Sequence, residues 1–258
     1  MKWAVVPASI VLAFSSVLAF ADLTLKGSGS GSGLGMSASG ETAIYIKDGR
    51  MRSDWTQGAK SQSMILDLDH QRMIVLDHAK KKAEVFDLAK LAADLKAIPD
   101  GDMKVEIKPT GKTRSILGRT CQEFLLRIIV PYADPSGMSV DTILSGPAWI
   151  AKDSPGAADY RSFYLKAAQK GLFFNHPAAA KAQPGRAKGM TALYKELAKL
   201  GVPYASDIRV DFQGTGLLAQ MMSKMGEMKS GSTVSQVSTA PLSDHLFEEP
   251  AGYKIKAK

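Results

Sequence analysis

The sequence predicts a mainly β fold with helices added to it, of the α+β class, built on an antiparallel meander. Three observations carry this. Between Ile44 and Asp87, short apolar runs alternate with polar turn clusters at nearly regular spacing. Within each run the apolar residues recur with period two, the period of a strand with one buried face. Beyond the meander, Leu88, Leu91, Leu95 and Ile98 recur at helical spacing, as do Tyr160, Phe163, Tyr164, Ala167 and Ala168.

The chain has 258 residues, 45% hydrophobic and 22% charged, the balance of a soluble globular protein. Its first stretch stands apart. Lys2 precedes a mostly apolar run from Trp3 to Phe20, and Ala19-Phe20-Ala21 has the pattern of a cleavage site before Asp22. Residues 1–21 are therefore expected to be a cleavable signal peptide. Residues 22–258 are expected to form one domain with a helical insertion at about 155–200. No later apolar run is long enough to span a bilayer as a helix, and no Cys follows the cleavage site to be lipidated. Cys121 is the single cysteine, so an intrachain disulfide is excluded. Export without a disulfide fits a bacterial periplasm.

The net charge is +8. Lys and Arg are scattered, with Lys80-Lys81-Lys82 the one run, and solubility is the first explanation. An anionic membrane surface is the partner such a charge would favour. Nucleic acid is not expected as a partner, because there is no basic helix and no paired aromatic platform.

In chain order, Asp22 to Met36 contains Leu23-Thr24-Leu25-Lys26 and then a Gly-Ser alternation from Gly27 to Gly33. It reads as a flexible linker or as a strand with almost no side chains. As a strand it pairs with Glu41 to Lys47 and leaves empty space above the sheet. Thr42 to Lys47 turns at Asp48-Gly49, a type I′ signal, into Arg50 to Trp55. Met64–Leu68, Met73–Leu76 and Lys82–Phe86 follow. Asp87 caps the helix that ends at Pro99-Asp100-Gly101. Met103 to Lys108 is expected to turn back at Pro109-Thr110-Gly111-Lys112, with Thr113 to Leu117 and Thr120 to Val130 as a further pair. Pro131 to Gly137 is a loop, and Thr142 to Ala151 a strand. Pro155 to Leu172 is a helix stopped by Asn175-His176-Pro177, and Ala178 to Gly189 a loop. Leu193, Tyr194, Leu197 and Leu200 mark a short helix closed by Gly201. Ile208–Phe212 and Ser232–Ser238 are strands, flanking a Met-rich helix over Leu217 to Met228.

Motifs for chemistry are sparse. Asp69-His70 and Asp77-His78 tempt a metal reading. They sit at opposite ends of one strand, roughly 15–20 Å apart, so turn-forming Asp with solvated His is preferred. Asp67 and Asp69 share a strand face and read as a solvated polar face rather than an acid–base pair. Pro109–Thr113 mimics the end of a P-loop but lacks its first Gly. Cys121 lies at a strand start without a nucleophile signature and reads as a packed thiol. Catalytic residues, metal ligands and cofactors are therefore expected to be none, and the protein is not expected to be an enzyme.

Several short stretches, Ile46–Arg52, Thr110–Thr113 through Gly118–Cys121, Trp149–Asp153 and Phe247–Tyr253, resemble an exported bacterial family of unknown function, DUF4412. That family is similar in layout to the LolA/LolB-like fold of lipoprotein carriers. The resemblance implies a strongly curved antiparallel sheet, an incomplete β-barrel, with helices on its concave side and acyl chains sheltered within. The expected function is thus a soluble periplasmic binding or carrier protein for a lipid or other hydrophobic ligand. The alternative is a structural or protein-interaction component of the cell envelope with a filled core. Candidate ligand-binding residues are Trp55, Leu66, Val75, Phe124 and Leu126 on the sheet, with Met221, Met222 and Met225 as an adaptable cover. Alternation alone puts Trp55, Leu66 and Val75 on one face, so a one-residue slip would invert them.

Overall fold

The computed structural model describes residues 22–33, 36–96, 103–133, 139–172, 177, 184–215, 221 and 228–258. The expected signal peptide, the stop at Asn175-His176 and most of the Met-rich segment lie outside these residues.

The strands are β1 (Leu23–Gly33), β2 (Met36–Lys47), β3 (Arg50–Gln57), β4 (Lys60–Asp67), β5 (Arg72–Asp77) and β6 (Lys82–Asp87). After helix α1 (Leu88–Lys96) come β7 (Lys104–Ile116), β8 (Arg119–Ala133) and β9 (Ser139–Ala151). Helices α2 (Ala157–Gln169) and α3 (Pro184–Leu200) precede β10 (Val202–Gly214) and β11 (Met228–Ser238). A 3-10 turn (Asp244–Phe247) and β12 (Lys254–Ala257) close the described chain. Together the strands make one 12-stranded curved sheet in the order β12-β6-β5-β4-β3-β2-β1-β11-β10-β9-β8-β7. Every pairing is antiparallel except β12 on β6. Among the described residues, no helix is long and apolar enough to cross a membrane.

The meander folds as its alternation requires. Asp48 and Gly49 turn with φ of 46° and 76°, the conformation of a type I′ hairpin. Asp87 caps α1 by accepting the Lys90 backbone N–H at 3.1 Å. The Gly-Ser stretch is a strand. β1 pairs along its whole length with β2, from Leu23 opposite Ile46 to Gly33 opposite Met36, and on its other edge with β11. Two long neighbours supply the backbone partners that its own side chains could not secure.

Three expectations fail. Pro109 to Lys112 is not a hairpin turn but an irregularity within one long strand, β7, where the register shifts between Pro109 and Thr113. β7 is an edge strand, so the missing N–H of Pro109 need leave no ladder bond unmade. The turn expected between Thr113–Leu117 and Thr120–Val130 does form, at Leu117-Gly118, with φ of 51° and 71°. The expected loop before Gly189 is partly helix. α3 begins at Pro184, where a fixed φ suits the first helical turn, and Ala187 is buried on it. Strand β8 also runs on through Pro131 to Ala133.

One buried cluster joins Leu23, Leu25, Ile46, Met51, Leu66 and Met73 to Leu88 and Leu91 of α1 and to Tyr160, Phe163 and Tyr164 of α2. A second joins Phe124, Leu126, Ile128, Leu144 and Val210 to Leu193 and Leu197 of α3. A third lies on the opposite face of the meander, where Ile65, Ile74, Leu76 and Ala83 pack beneath Phe247. The C-terminal segment thus covers the meander's second face.

Candidate ligand cavity

Cross-strand register fixes which side chains share the helix-bearing face. Directly opposed residues project on the same side of a sheet. Met51 opposes Leu66, and Met64 opposes both Ser53 and Val75. Trp55, Leu66 and Val75 therefore lie on one face, the face of the first cluster. On the far half, Phe124 opposes Ala148 and Ile128 opposes Leu144. Val210 in turn opposes Leu144, and Ser206 opposes Ala148.

A cavity of about 370 Å³ lies on this face, between the β8–β9–β10–β11–β1–β2 strands and helices α2 and α3. Its floor includes Leu126, Ile128, Leu144, Ala148 and Val210, and its roof Leu193, Leu197, Tyr160, Tyr164 and Tyr194. β1 contributes Gly27 to the lining, and the close approach of the β11 backbone requires glycine there. Gly27 stands where any larger residue would run into the Thr233 carbonyl.

The roof is an aromatic stack. The rings of Tyr160 and Tyr164 have centroids 4.4 Å apart, and Tyr164 stacks on Tyr194 at 5.2 Å. The Tyr164 hydroxyl donates to the Met51 sulfur at 3.6 Å, tying α2 to β3. Burial pushes all three phenols above their ordinary value, so the roof carries no charge near neutral pH.

A larger groove, about 790 Å³, lies along the same strands and shares Ser28, Ser206, Ser232 and Thr233 with the cavity. Its lining includes Ser28, Ser30, Ser32, Ser39, Asp207 and Trp149, with the Arg114 guanidinium 4.2 Å above the Trp149 ring. It is open and polar. The smaller cavity, lined by buried apolar side chains, is the one suited to an apolar ligand.

Leu126 lines this cavity. Phe124 is buried two residues away on the same strand face. Leu66 and Val75 lie in or against the first cluster, under α1 and α2, outside the lining. Trp55 is half-buried in β3, its indole nitrogen beside Gly40. Met221 is 59% exposed, and Met222 and Met225 lie outside the described residues. The tyrosine roof was missed as a site, although Tyr160 and Tyr164 sit on the helical stripe that the sequence displays.

Other candidate groups are engaged elsewhere. Asp67 is not on a solvated face but is buried, with 3% of its side chain exposed. It accepts the backbone N–H of Asp69 and of His70, and pairs with His70 Nδ1 at 2.8 Å. A short turn that needs its N–H groups satisfied pulls the carboxylate inward. His78 is not a solvated imidazole. Its Nε2 is 2.6 Å from Ser63 Oγ and its Nδ1 2.7 Å from the Tyr253 hydroxyl. Among the described residues no group of three or more His, Cys, Asp or Glu is placed to hold a metal ion. Cys121 is fully buried and donates to the Arg119 carbonyl at 3.7 Å. Burial is the main cause of its raised thiol pKa, which disfavours a nucleophilic thiolate.

A search of the curated proteins finds no match. Among solved structures, the chain is similar to one described as "Structure of PNGF-II in C2 space group", with 13% identity and a TM-score of 0.36. The likeness covers 92% of this chain and 31% of that chain, so this protein spans about a third of its length. At that level it carries no argument about fold or activity. Residues 35–136, the stretch from β2 to β8, match the model of a family described as Domain of unknown function (DUF4412).

Proposed function

We propose that the protein is a soluble periplasmic binding or carrier protein for a lipid or other hydrophobic ligand, acting without catalysis. In this reading its layout is LolA-like, with helices covering the concave side of a curved sheet. The observation that carries it is the cavity of about 370 Å³ between the sheet and helices α2 and α3. Its volume falls within the range of small-molecule sites, about 300–1,000 Å³. Burial of an alkyl chain against Leu126, Ile128, Leu144, Leu193 and Leu197 would drive binding, at about 0.8 kcal/mol per methylene. The signal-like residues 1–21 and the single cysteine support export to a reducing-independent, disulfide-free life in the periplasm.

Native mass spectrometry of the protein purified without delipidation, with lipid extraction of the same sample, tests the reading. Co-purifying acyl species at near-stoichiometric occupancy are expected. A ligand-free protein that also fails to take up an added apolar probe would overturn it and favour an envelope component with a filled core.

A further inference from the structure

The cavity is segregated by polarity along its depth. Its buried members are apolar: Leu126, Ile128, Leu144, Val210, Leu193 and Leu197. Half-buried Ile44, Ile208 and Val234 continue this apolar lining, and its exposed or half-buried polar members on the same sheet face include Ser206, Ser230 and Ser232. Ser206 and Ser232 sit side by side on β10 and β11, their hydroxyl oxygens 2.8 Å apart. One hydroxyl donates to the other in that pair, leaving a second O–H and several lone pairs free for a ligand. Among the described residues the lining holds no carboxylate, and its one charged residue is Lys26. Lys26 stands between Leu25 and Gly27, so strand alternation sends its side chain to the other face. Recognition at the mouth is therefore by hydrogen bonds rather than by an ion pair.

Volume adds a second restriction. About 370 Å³ is near the lower end of the small-molecule range. A space of this size suits one alkyl chain better than two side by side. Resting on the carrier reading above, we infer that the ligand is a single-chain amphiphile. Its chain lies inward against the α3 leucines, and its hydroxyl- or ester-bearing head sits at the Ser206–Ser232 rim.

The test uses the purified mature chain loaded with a fluorescent alkyl probe and displaced by three competitors of equal chain length. These are a 1-monoacylglycerol, the corresponding 1,2-diacylglycerol and the n-alkane. The monoacylglycerol is expected to displace the probe at concentrations at least about tenfold lower than either of the others. In the Ser206→Ala, Ser232→Ala double variant, monoacylglycerol affinity should fall about tenfold while the alkane is unaffected. Both positions are at the surface end of the cavity, and circular dichroism checks that the variant folds. A diacylglycerol that competes equally well overturns the single-chain inference, and a double variant that binds monoacylglycerol unchanged overturns the head site. An alkane as good as the monoacylglycerol does the same while leaving the carrier reading standing. Failure of the probe itself to bind removes the carrier reading.

Discussion

The Tyr253 hydroxyl lies 2.7 Å from Nδ1 of His78, a residue 175 positions earlier in the chain. His78 in turn contacts Ser63 Oγ through Nε2, and Ser63 accepts from Arg52 Nη2 at 3.1 Å. Arg52 then donates from Nη1 to the Leu246 carbonyl. The polar chain thus starts and ends on the C-terminal segment, fastening it to strands β3 and β4.

Tyr253→Phe removes one hydroxyl from that chain and leaves a part-buried His78 nitrogen without its partner. The expected cost is about 1–2 kcal/mol, read as a lowered midpoint in urea denaturation. The segment should also become the first to be cut in limited proteolysis. An unchanged midpoint and cleavage pattern would mean that the tail is held by the Phe247 anchor alone.

Two stretches far apart in sequence, Ile46–Arg52 and Phe247–Tyr253, are neighbours in this clasp. Arg50 pairs with Asp244 at 2.7 Å and lies over the Phe247 ring at 5.0 Å. Lys47 donates to the Leu242 carbonyl at 2.7 Å, and Arg72 approaches Glu249 at 3.4 Å. Their cationic side chains are thereby accounted for as fasteners of the tail, which weakens any reading of them as an anion-binding patch.

Asp67 gives a pH-dependent test. Burial opposes its charge, but the His70 backbone N–H and ring, with Arg72 nearby, outweigh that and lower its pKa. A lowered native pKa means that the stabilisation is complete above the unfolded value, about 3.9. It is lost as pH falls through the native value. Asp67→Asn should cost about 1–3 kcal/mol at pH 7 and flatten the loss of stability below about pH 4. Parallel curves for the two proteins in acid-denaturation experiments would contradict this role.

The glycines of β1 and β2 are not equivalent. A Cβ at Gly40 would meet the Thr56 carbonyl and stand 3.0 Å from the Trp55 indole nitrogen. Backbone cannot give way, so Gly40→Ala should destabilise by about 1–3 kcal/mol. At Gly31 the nearest atom is the Lys229 carbonyl oxygen at 3.8 Å, an ordinary contact. Gly31→Ala should be neutral or stabilise by up to about 1 kcal/mol, through the lower entropy of the unfolded chain. Thermal melts of the two variants separate the predictions, and equal shifts would refute the distinction.

Local rules made the meander legible. Alternation and turn chemistry act within a few residues, and Asp48-Gly49 and Asp87 behave as those rules require. The Gly-Ser strand stayed ambiguous because its order comes from β2 and β11, partners that its own residues do not announce. Pro109 misled because an edge strand tolerates what a central one does not, and edge position is a property of the whole sheet. The same holds at the cavity. Leu126 was legible from alternation, whereas Tyr194 and the Ser206–Ser232 rim come together only when α3, β10 and β11 are folded over one another.

The proposed binding place of an apolar ligand is the cavity under α2 and α3. Ala148 is buried on its floor, between Phe124 and Ser206, so Ala148→Phe projects a ring into the space. The measurement is the stoichiometry of an alkyl fluorescent probe bound to the wild type and to this variant, with near-native circular dichroism as the control for folding. One probe per wild-type chain is expected, with binding weakened at least about tenfold in the variant, since the ring occupies the volume that the alkyl chain needs. Equal binding by the two proteins would contradict it.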